Sequence, residues 1–193
     1  TRFAAGLRDG SAVIFDAASM REIRKLPPYK NEDGDTRPLA FSADGTRLAG
    51  GAIFDDSVFV WDTETGKLVR AITLPDSLAG YRIVTAVALS RDNRTLAAGL
   101  GRRAISSGDI GAEAGGILVF DLGTGKFRFA LRGHRASIAT LAFSKDDKMI
   151  VSGSYDGTVR YWDRAAGKLL ATAAMGADGR WFIVTDAGFY AGP

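Results

Sequence analysis

Four segments of the chain end in nearly the same way, and this repetition constrains the fold more than any other feature of the sequence. Each is a short apolar run that finishes in Phe-Asp or Trp-Asp: VIFD (13–16), VFVWD (58–62), ILVFD (117–121) and VRYWD (159–163). The last three continue as Asp-x-x-x-Gly-Lys, in which glycine supplies the positive φ of a tight turn. A unit that recurs in this way predicts an array of similar small sheets.

A second repeated pattern lies upstream of these endings, at residues 39–51, 87–99 and 141–153. Each reads as a strand, a polar turn and another strand. The most complete copy runs from Gly133 to Asp163 and predicts three consecutive strands, at Ile138–Phe143, Met149–Gly153 and Thr158–Trp162. Asp-rich and Asp-Gly turns separate these strands, so the copy is predicted to be an antiparallel meander.

The Gly-His start, the Asp-Gly turn and the Trp-Asp ending of this copy resemble one unit of the WD-repeat β-propeller family. The resemblance implies a buried hydrogen-bond relay with a structural role, formed by His134, Ser152, Asp156 and Trp162. His134 is the only histidine of the chain, so it has no companion for a zinc site or for general-base catalysis. The other three units lack the Gly-His pair, and two of them have Phe in place of Trp.

The repeats predict an all-β fold, and the resemblance implies a WD-repeat β-propeller of four-stranded antiparallel blades with about four blades present. The whole chain, residues 1–193, is then one propeller domain or a fragment of a larger propeller. Its approximate units are 1–26 (partial), 36–74, 83–131, 133–173 and 180–193 (partial). The tail aligns with the strands that the first unit lacks, so it could complete that unit.

Composition excludes several classes of function. The chain has no cysteine, which rules out a disulfide scaffold, a thiol nucleophile and a Cys-based metal site, and favours a cytoplasmic location. The formal charge of +3 is a mild basic excess spread along the chain, which disfavours nucleic acid as a partner. No apolar run is long enough for a membrane span. No catalytic constellation is present, so we expect no enzymatic activity, no cofactor and no resident metal.

Three connections are longer than the others, at Pro27–Thr36, Leu74–Arg82 and Leu100–Gly115. In an antiparallel meander all three emerge at one face, and loops carried by a rigid scaffold are common sites of recognition. A solvated loop whose charges lie in water is the alternative. The candidate partner-binding residues on these loops are Tyr29, Lys30, Asp35, Asp76, Tyr81, Arg82, Arg102 and Arg103.

The favoured function is a non-catalytic scaffold that binds a protein or peptide partner through this long-loop face. The tail from Arg180 to Tyr190 resembles a segment that follows the last repeat in bacterial proteins that join WD repeats to a caspase-like peptidase domain. That resemblance implies a regulatory propeller portion of such a peptidase. A third hypothesis is a small ligand or metal in the central channel, held by Asp35, Asp76 and Glu113. An incomplete propeller would also expose sheet edges and faces that favour self-association.

Overall fold

The computed structural model describes residues 1–28, 36–52, 57–75, 82–102, 115–176 and 179–191. All regular elements in these ranges are β-strands, and they form four antiparallel sheets. The prediction of an all-β fold built from repeated antiparallel sheets is therefore confirmed. Within the same ranges there is no helix of the length and apolarity that crossing a membrane requires.

Each sheet is a meander whose strands pair in sequence order. The first sheet contains β1 (Arg2–Gly6), β2 (Ala12–Asp16) and β3 (Glu22–Leu26). The second contains β4 (Thr36–Phe41), β5 (Arg47–Ala52), β6 (Ser57–Asp62) and β7 (Leu68–Thr73). The third contains β8 (Arg82–Leu89), β9 (Thr95–Arg102), β10 (Gly116–Asp121) and β11 (Phe127–Arg132). The fourth contains β12 (Ile138–Phe143), β13 (Met149–Ser154), β14 (Thr158–Asp163), β15 (Leu169–Met175), β16 (Trp181–Thr185) and β17 (Gly188–Ala191).

Local side-chain chemistry forms the tight turns between the strands. The turn after β6 is typical: the Asp62 carboxylate accepts the backbone N–H of Thr65 at 2.7 Å, and Gly66 follows with a φ of 74°. In the first sheet the equivalent position is Met20, which has a φ of 56° and is 67% exposed. A non-glycine residue in this left-handed region costs roughly 1–2 kcal/mol, so this turn is less favourable than its three counterparts.

Apolar side chains between neighbouring sheets form three successive cores. The first and second sheets share a core that includes Ile14 and Trp61. The second and third share the largest core, which includes Val60 and Phe120, and the third and fourth share a core that includes Trp162. The sheets therefore lie in sequence order. Among the described residues, no such core joins the fourth sheet to the first.

The tail does not complete the first sheet, as the sequence alignment suggested it could. Strand β16 pairs antiparallel with β15, and β17 pairs with β16, so the fourth sheet has six strands and the first has three. The physical reason is the short reversal after β15, in which the backbone N–H of Gly176 donates to the carbonyl of Arg180 at 2.7 Å. A reversal this tight returns the chain along β15, whose outer edge is free to accept a strand.

Candidate functional site

The four residues of the predicted relay lie together inside the fourth sheet. His134 Nδ1 is 2.8 Å from Asp156 Oδ2, and His134 Nε2 is 2.8 Å from Ser152 Oγ. The indole Nε1 of Trp162 donates to the same Ser152 oxygen at 2.8 Å. His134 and Trp162 are each 2% exposed and Ser152 is fully buried. This chain of bonds joins the segment before β12 to β13, to the following turn and to β14.

The chemistry of the end groups fixes the direction of every bond in the relay. The indole N–H of Trp162 can only donate and the carboxylate of Asp156 can only accept. His134 therefore carries its proton on Nδ1, and its Nε2 accepts from the Ser152 hydroxyl. Burial lowers the pKa of His134 below its usual 6.5 and outweighs the opposing effect of Asp156. The imidazole is thus neutral at pH 7, and its role is to connect strands.

Asp156, the last residue of the relay, also accepts hydrogen bonds from groups outside the relay. Its Oδ2 also accepts the backbone N–H of Arg135 at 2.9 Å, and its Oδ1 accepts the Thr158 hydroxyl at 2.6 Å. Burial alone would raise the pKa of Asp156, but the bonds from Thr158, Arg135 and His134 outweigh it and hold this pKa well below the ordinary value. The carboxylate therefore stays charged and keeps the turn before β14 fixed.

A second network joins the first turns of the second, third and fourth sheets at one end of the array. The side-chain amide of Asn93 donates to Asp44 Oδ2 at 2.8 Å, which links the third sheet to the second. The Asp147 carboxylate accepts the backbone N–H groups of Arg91 and Asp92, each at 2.9 Å, which links the fourth sheet to the third. Asn93 and Asp147 both have positive φ, a conformation that Asn and Asp tolerate. We call this set of bonds the turn-end network.

Arg164 strengthens the turn-end network between the third and fourth sheets. Its Nη2 lies 2.8 Å from Asp92 Oδ2 and 2.7 Å from the Thr95 hydroxyl, and its guanidinium carbon lies 5.6 Å from the centre of the Phe143 ring. Burial raises the pKa of Asp92, but hydrogen bonds from Ser90 and Arg164 outweigh burial and lower this pKa to about 2. Sequence reasoning missed this network, because its members belong to different repeats. The sequence signal was that the third and fourth sheets have Asn93 and Asp147 at the turn position where the second sheet has glycine.

Comparison with known proteins bears on the segment that holds the relay. Residues 125–163 match the family model described as WD domain, G-beta repeat, and this segment contains all four relay residues. This segment of the chain is a WD repeat. The match covers the last strand of the third sheet and the first three strands of the fourth.

Curated relatives are similar along most of this WD-repeat chain. GID complex subunit 7 of Schizosaccharomyces pombe is 28% identical over 75% of the chain, and autophagy-related protein 16 of Arabidopsis thaliana is 31% identical over 62%. WD repeat-containing protein ATCSA-1 of Arabidopsis thaliana is 30% identical over 84%. The chain spans only 27%, 20% and 36% of these relatives' own lengths. They are eukaryotic, so they give no support to the resemblance to bacterial peptidase-linked proteins.

The relay makes the stability of the WD-repeat chain sensitive to mild acid. Because the folded pKa of His134 lies below its usual 6.5, the unfolded chain takes up this proton first. The contribution of neutral His134 to the free energy of unfolding is complete above the unfolded pKa of about 6.5 and decreases at lower pH. We therefore expect the free energy of unfolding to fall between about pH 7 and pH 5. Urea unfolding at a series of pH values measures this. The variant His134→Asn lacks the only histidine of the chain, so its free energy of unfolding should change less between pH 7 and pH 5. Equal slopes for the wild type and this variant would contradict the prediction.

The second sheet contains a tryptophan without the rest of the relay. Trp61 has the position of Trp162, since each lies on the third strand of its sheet before the repeated Asp. It is fully buried, and its indole Nε1 has no hydrogen-bond partner among the described residues. The strand register places Gly50 where the fourth sheet has Ser152, so this sheet lacks the acceptor hydroxyl. The equivalent residue of the third sheet is Phe120, which needs no acceptor.

This difference predicts unequal effects of the same substitution. Both Trp162→Phe and Trp61→Phe remove buried apolar volume, but only the former breaks a hydrogen bond. Trp61→Phe instead removes an unpartnered donor, which relieves a penalty of about 1–3 kcal/mol. We therefore expect Trp162→Phe to lower the free energy of urea unfolding by about 1–3 kcal/mol more than Trp61→Phe. Equal losses in the two variants would show that the indole N–H groups contribute nothing different.

Most of the predicted partner-binding residues lie outside the described part of the chain. Two of them, Arg82 and Arg102, are described at the level of the backbone: they begin β8 and end β9, and the register pairs them directly across these strands. The others, which lie outside the described residues, are Tyr29, Lys30, Asp35, Asp76, Tyr81 and Arg103.

Proposed function

We propose that this WD-repeat chain is a non-catalytic scaffold that binds a protein or peptide partner at its long-loop face. The long-loop face is the end of the sheet array from which the connections at 27–36, 74–82 and 100–115 leave. The observation that carries the proposal is the turn-end network, because it fixes the opposite end of three sheets by direct bonds between their turns. A scaffold of this kind holds the strand ends of the long-loop face at set distances, which is the condition for recognition by loops.

The strand directions support this assignment of the two ends. The turns of the turn-end network follow β4, β8 and β12, so the starts of these strands lie at the other end of the array. Each long connection leads into or out of a strand at that other end. The strand ends concerned are Leu26, Thr36, Thr73, Arg82, Arg102 and Gly116.

A pair of arginines at the edge of the long-loop face favours an anionic group on the partner. The backbone register places Arg82 opposite Arg102 at the edge of the long connections. Arginine binds carboxylates through paired hydrogen bonds, so two arginines at one sheet edge favour a carboxylate on the partner. We therefore propose a partner segment that carries Asp or Glu. One relative, GID complex subunit 7, is named as a subunit of a complex, which supports a protein partner in general terms.

The two alternative functions have no observation in their favour. A channel site for a metal would need clustered ligands, and among the residues that the structure describes there is no group of three or more His, Asp or Glu side chains that could hold a metal ion. Asp35, Asp76 and Glu113 lie outside the described residues. The role as a regulatory portion of a peptidase depends on the tail resemblance alone.

A phage-displayed library of random linear peptides, panned against the purified chain, tests the proposal. We expect enriched peptides to contain acidic residues and to bind at least about tenfold more weakly to Arg82→Glu/Arg102→Glu, a change of about 1.4 kcal/mol. The matched control is Arg91→Glu/Lys145→Glu, which reverses two charges at the turn end and should leave binding unchanged. Failure to enrich any peptide, or a loss confined to the turn-end variant, would overturn the proposal.

A further inference from the structure

The last strand of each repeated unit lies on the outer side of the array. The first strands of the units are on the inner side, where β4 and β12 both contact β8. The last strands are β3, β7, β11 and β15. In the fourth sheet the outer edge is occupied, because β16 pairs antiparallel with β15 from Ala171 to Met175. No described strand pairs with the outer edges of β3, β7 and β11.

Two of these three free edges have charged side chains. A free strand edge presents unpaired backbone N–H and C=O groups, and charged residues on such an edge disfavour pairing with another chain. Glu22 and Lys25 are exposed on β3, and Arg128 and Arg132 are exposed on β11. The outer edges of the first and third sheets are therefore protected against strand addition.

The outer edge of β7 has no such protection. Its exposed residues are Leu68, Val69 and Thr73, none of which is charged, and Val69 is 39% exposed. The one charged residue of the strand, Arg70, is half-buried and reaches the third sheet, where its Nη2 donates to the carbonyl of Gly123. We call this free, uncharged strand edge the β7 edge.

The β7 edge resembles the edge that is already occupied. The register aligns the two strands, because Leu68 pairs with Trp61 as Leu169 pairs with Trp162. Val69 then corresponds to Leu170 and Thr73 to Ala174, and β15 contains no charged residue. The occupied edge and the β7 edge are thus alike in composition, whereas the edges of β3 and β11 differ from both.

We propose that the β7 edge binds an extended, uncharged segment of a partner protein by antiparallel strand addition. The occupant is assigned from β16, which supplies the five uncharged residues Trp181–Thr185 to the equivalent edge of β15. Backbone hydrogen bonds supply the affinity in this mode of binding, and alternate side chains of the added strand supply the specificity. The β7 edge lies on the outer side of the second sheet, so this inference does not depend on the proposed partner at the long-loop face.

A dye-labelled synthetic peptide with the sequence of residues 179–188, GRWFIVTDAG, tests the proposal when it is added to the intact chain. We expect saturable binding by fluorescence anisotropy, and slower hydrogen exchange of the β7 amides in the presence of the peptide. The variant Val69→Arg/Thr73→Arg gives β7 the two arginines that β11 has at the same register positions. It should bind the peptide at least about tenfold more weakly than the wild type.

The matched control is Met20→Arg/Ile23→Arg, which adds the same charge to the first sheet at positions 67% and 42% exposed. This control should bind the peptide as the wild type does. Circular dichroism checks that each variant is folded, and Thr73→Arg alone replaces the double variant if the latter unfolds. The proposal would be overturned by an absence of binding, by an equal loss in the control, or by slower exchange only outside β7. Sedimentation velocity of the chain alone gives a further outcome, since self-association that Val69→Arg/Thr73→Arg abolishes would make the occupant a second copy and also overturn the proposal.

Discussion

Substituting Ser152 with alanine is expected to lower the free energy of unfolding by about 2–5 kcal/mol, because it leaves two buried polar groups without a partner. Those groups are the Nε2 of His134 and the Nε1–H of Trp162, both of which bond to the Ser152 hydroxyl at 2.8 Å. Neither can turn to water, since both residues are 2% exposed. Urea unfolding followed by tryptophan fluorescence and by circular dichroism measures the loss.

Two further variants make this result specific to the relay. Ser152→Thr keeps a hydroxyl at the same place and should retain much of the stability. Ser19→Ala removes another serine hydroxyl, one that bonds to Asp16 at 2.8 Å in an exposed turn, and should change stability by no more than about 0.5 kcal/mol. If Ser152→Ala cost no more than Ser19→Ala, the relay would not stabilise the fourth sheet.

Replacing Gly99 with valine is expected to cost about 3 kcal/mol or more, because it overfills the interface between the third and fourth sheets. A Cβ atom at Gly99 would lie 2.7 Å from Cγ2 and 2.8 Å from Cβ of Ile138, which is fully buried. The second sheet repeats this arrangement, since a Cβ at Gly51 would lie 2.5 Å from Cγ1 of Val84 on the third sheet. These glycines allow the first strand of the next sheet to approach.

The control for Gly99 is a glycine in an open turn. A Cβ at Gly123 would meet only Asp121 Oδ1, at 3.4 Å, so Gly123→Val should cost far less. The double variant Gly99→Val/Ile138→Ala is expected to regain part of the loss, because it removes the atoms that the new side chain would meet. Urea unfolding of the wild type, Gly99→Val, Ile138→Ala and the double variant gives the coupling energy. No recovery in the double variant would show that the cost arises from strand conformation and not from the contact.

The sequence anticipated the elements whose causes are local. Alternating apolar residues and Asp-Gly turns predict the strands of the Gly133–Asp163 copy, and those strands lie at Ile138–Phe143, Met149–Ser154 and Thr158–Asp163. The same reasoning found the repeat in the other three sheets. The relay residues were implied by the resemblance of this copy to a WD-repeat unit, although only the structure gives the 2.8 Å distances that join them. The loop residues proposed for partner binding stay predictions.

The sequence by itself determined the strands, the turns and the order of the sheets, because these depend on side-chain alternation and turn chemistry within a few residues. Only the tertiary structure shows which strand edge pairs with the tail. Strand β16 pairs with β15 and not with the first sheet, because a short reversal follows β15. It also decided which turns bond across sheets and which tryptophan, Trp61, is left without an acceptor among the described residues. The bonds across sheets depend on residues from different repeats that meet only after the sheets have packed, and no pattern within one repeat encodes them.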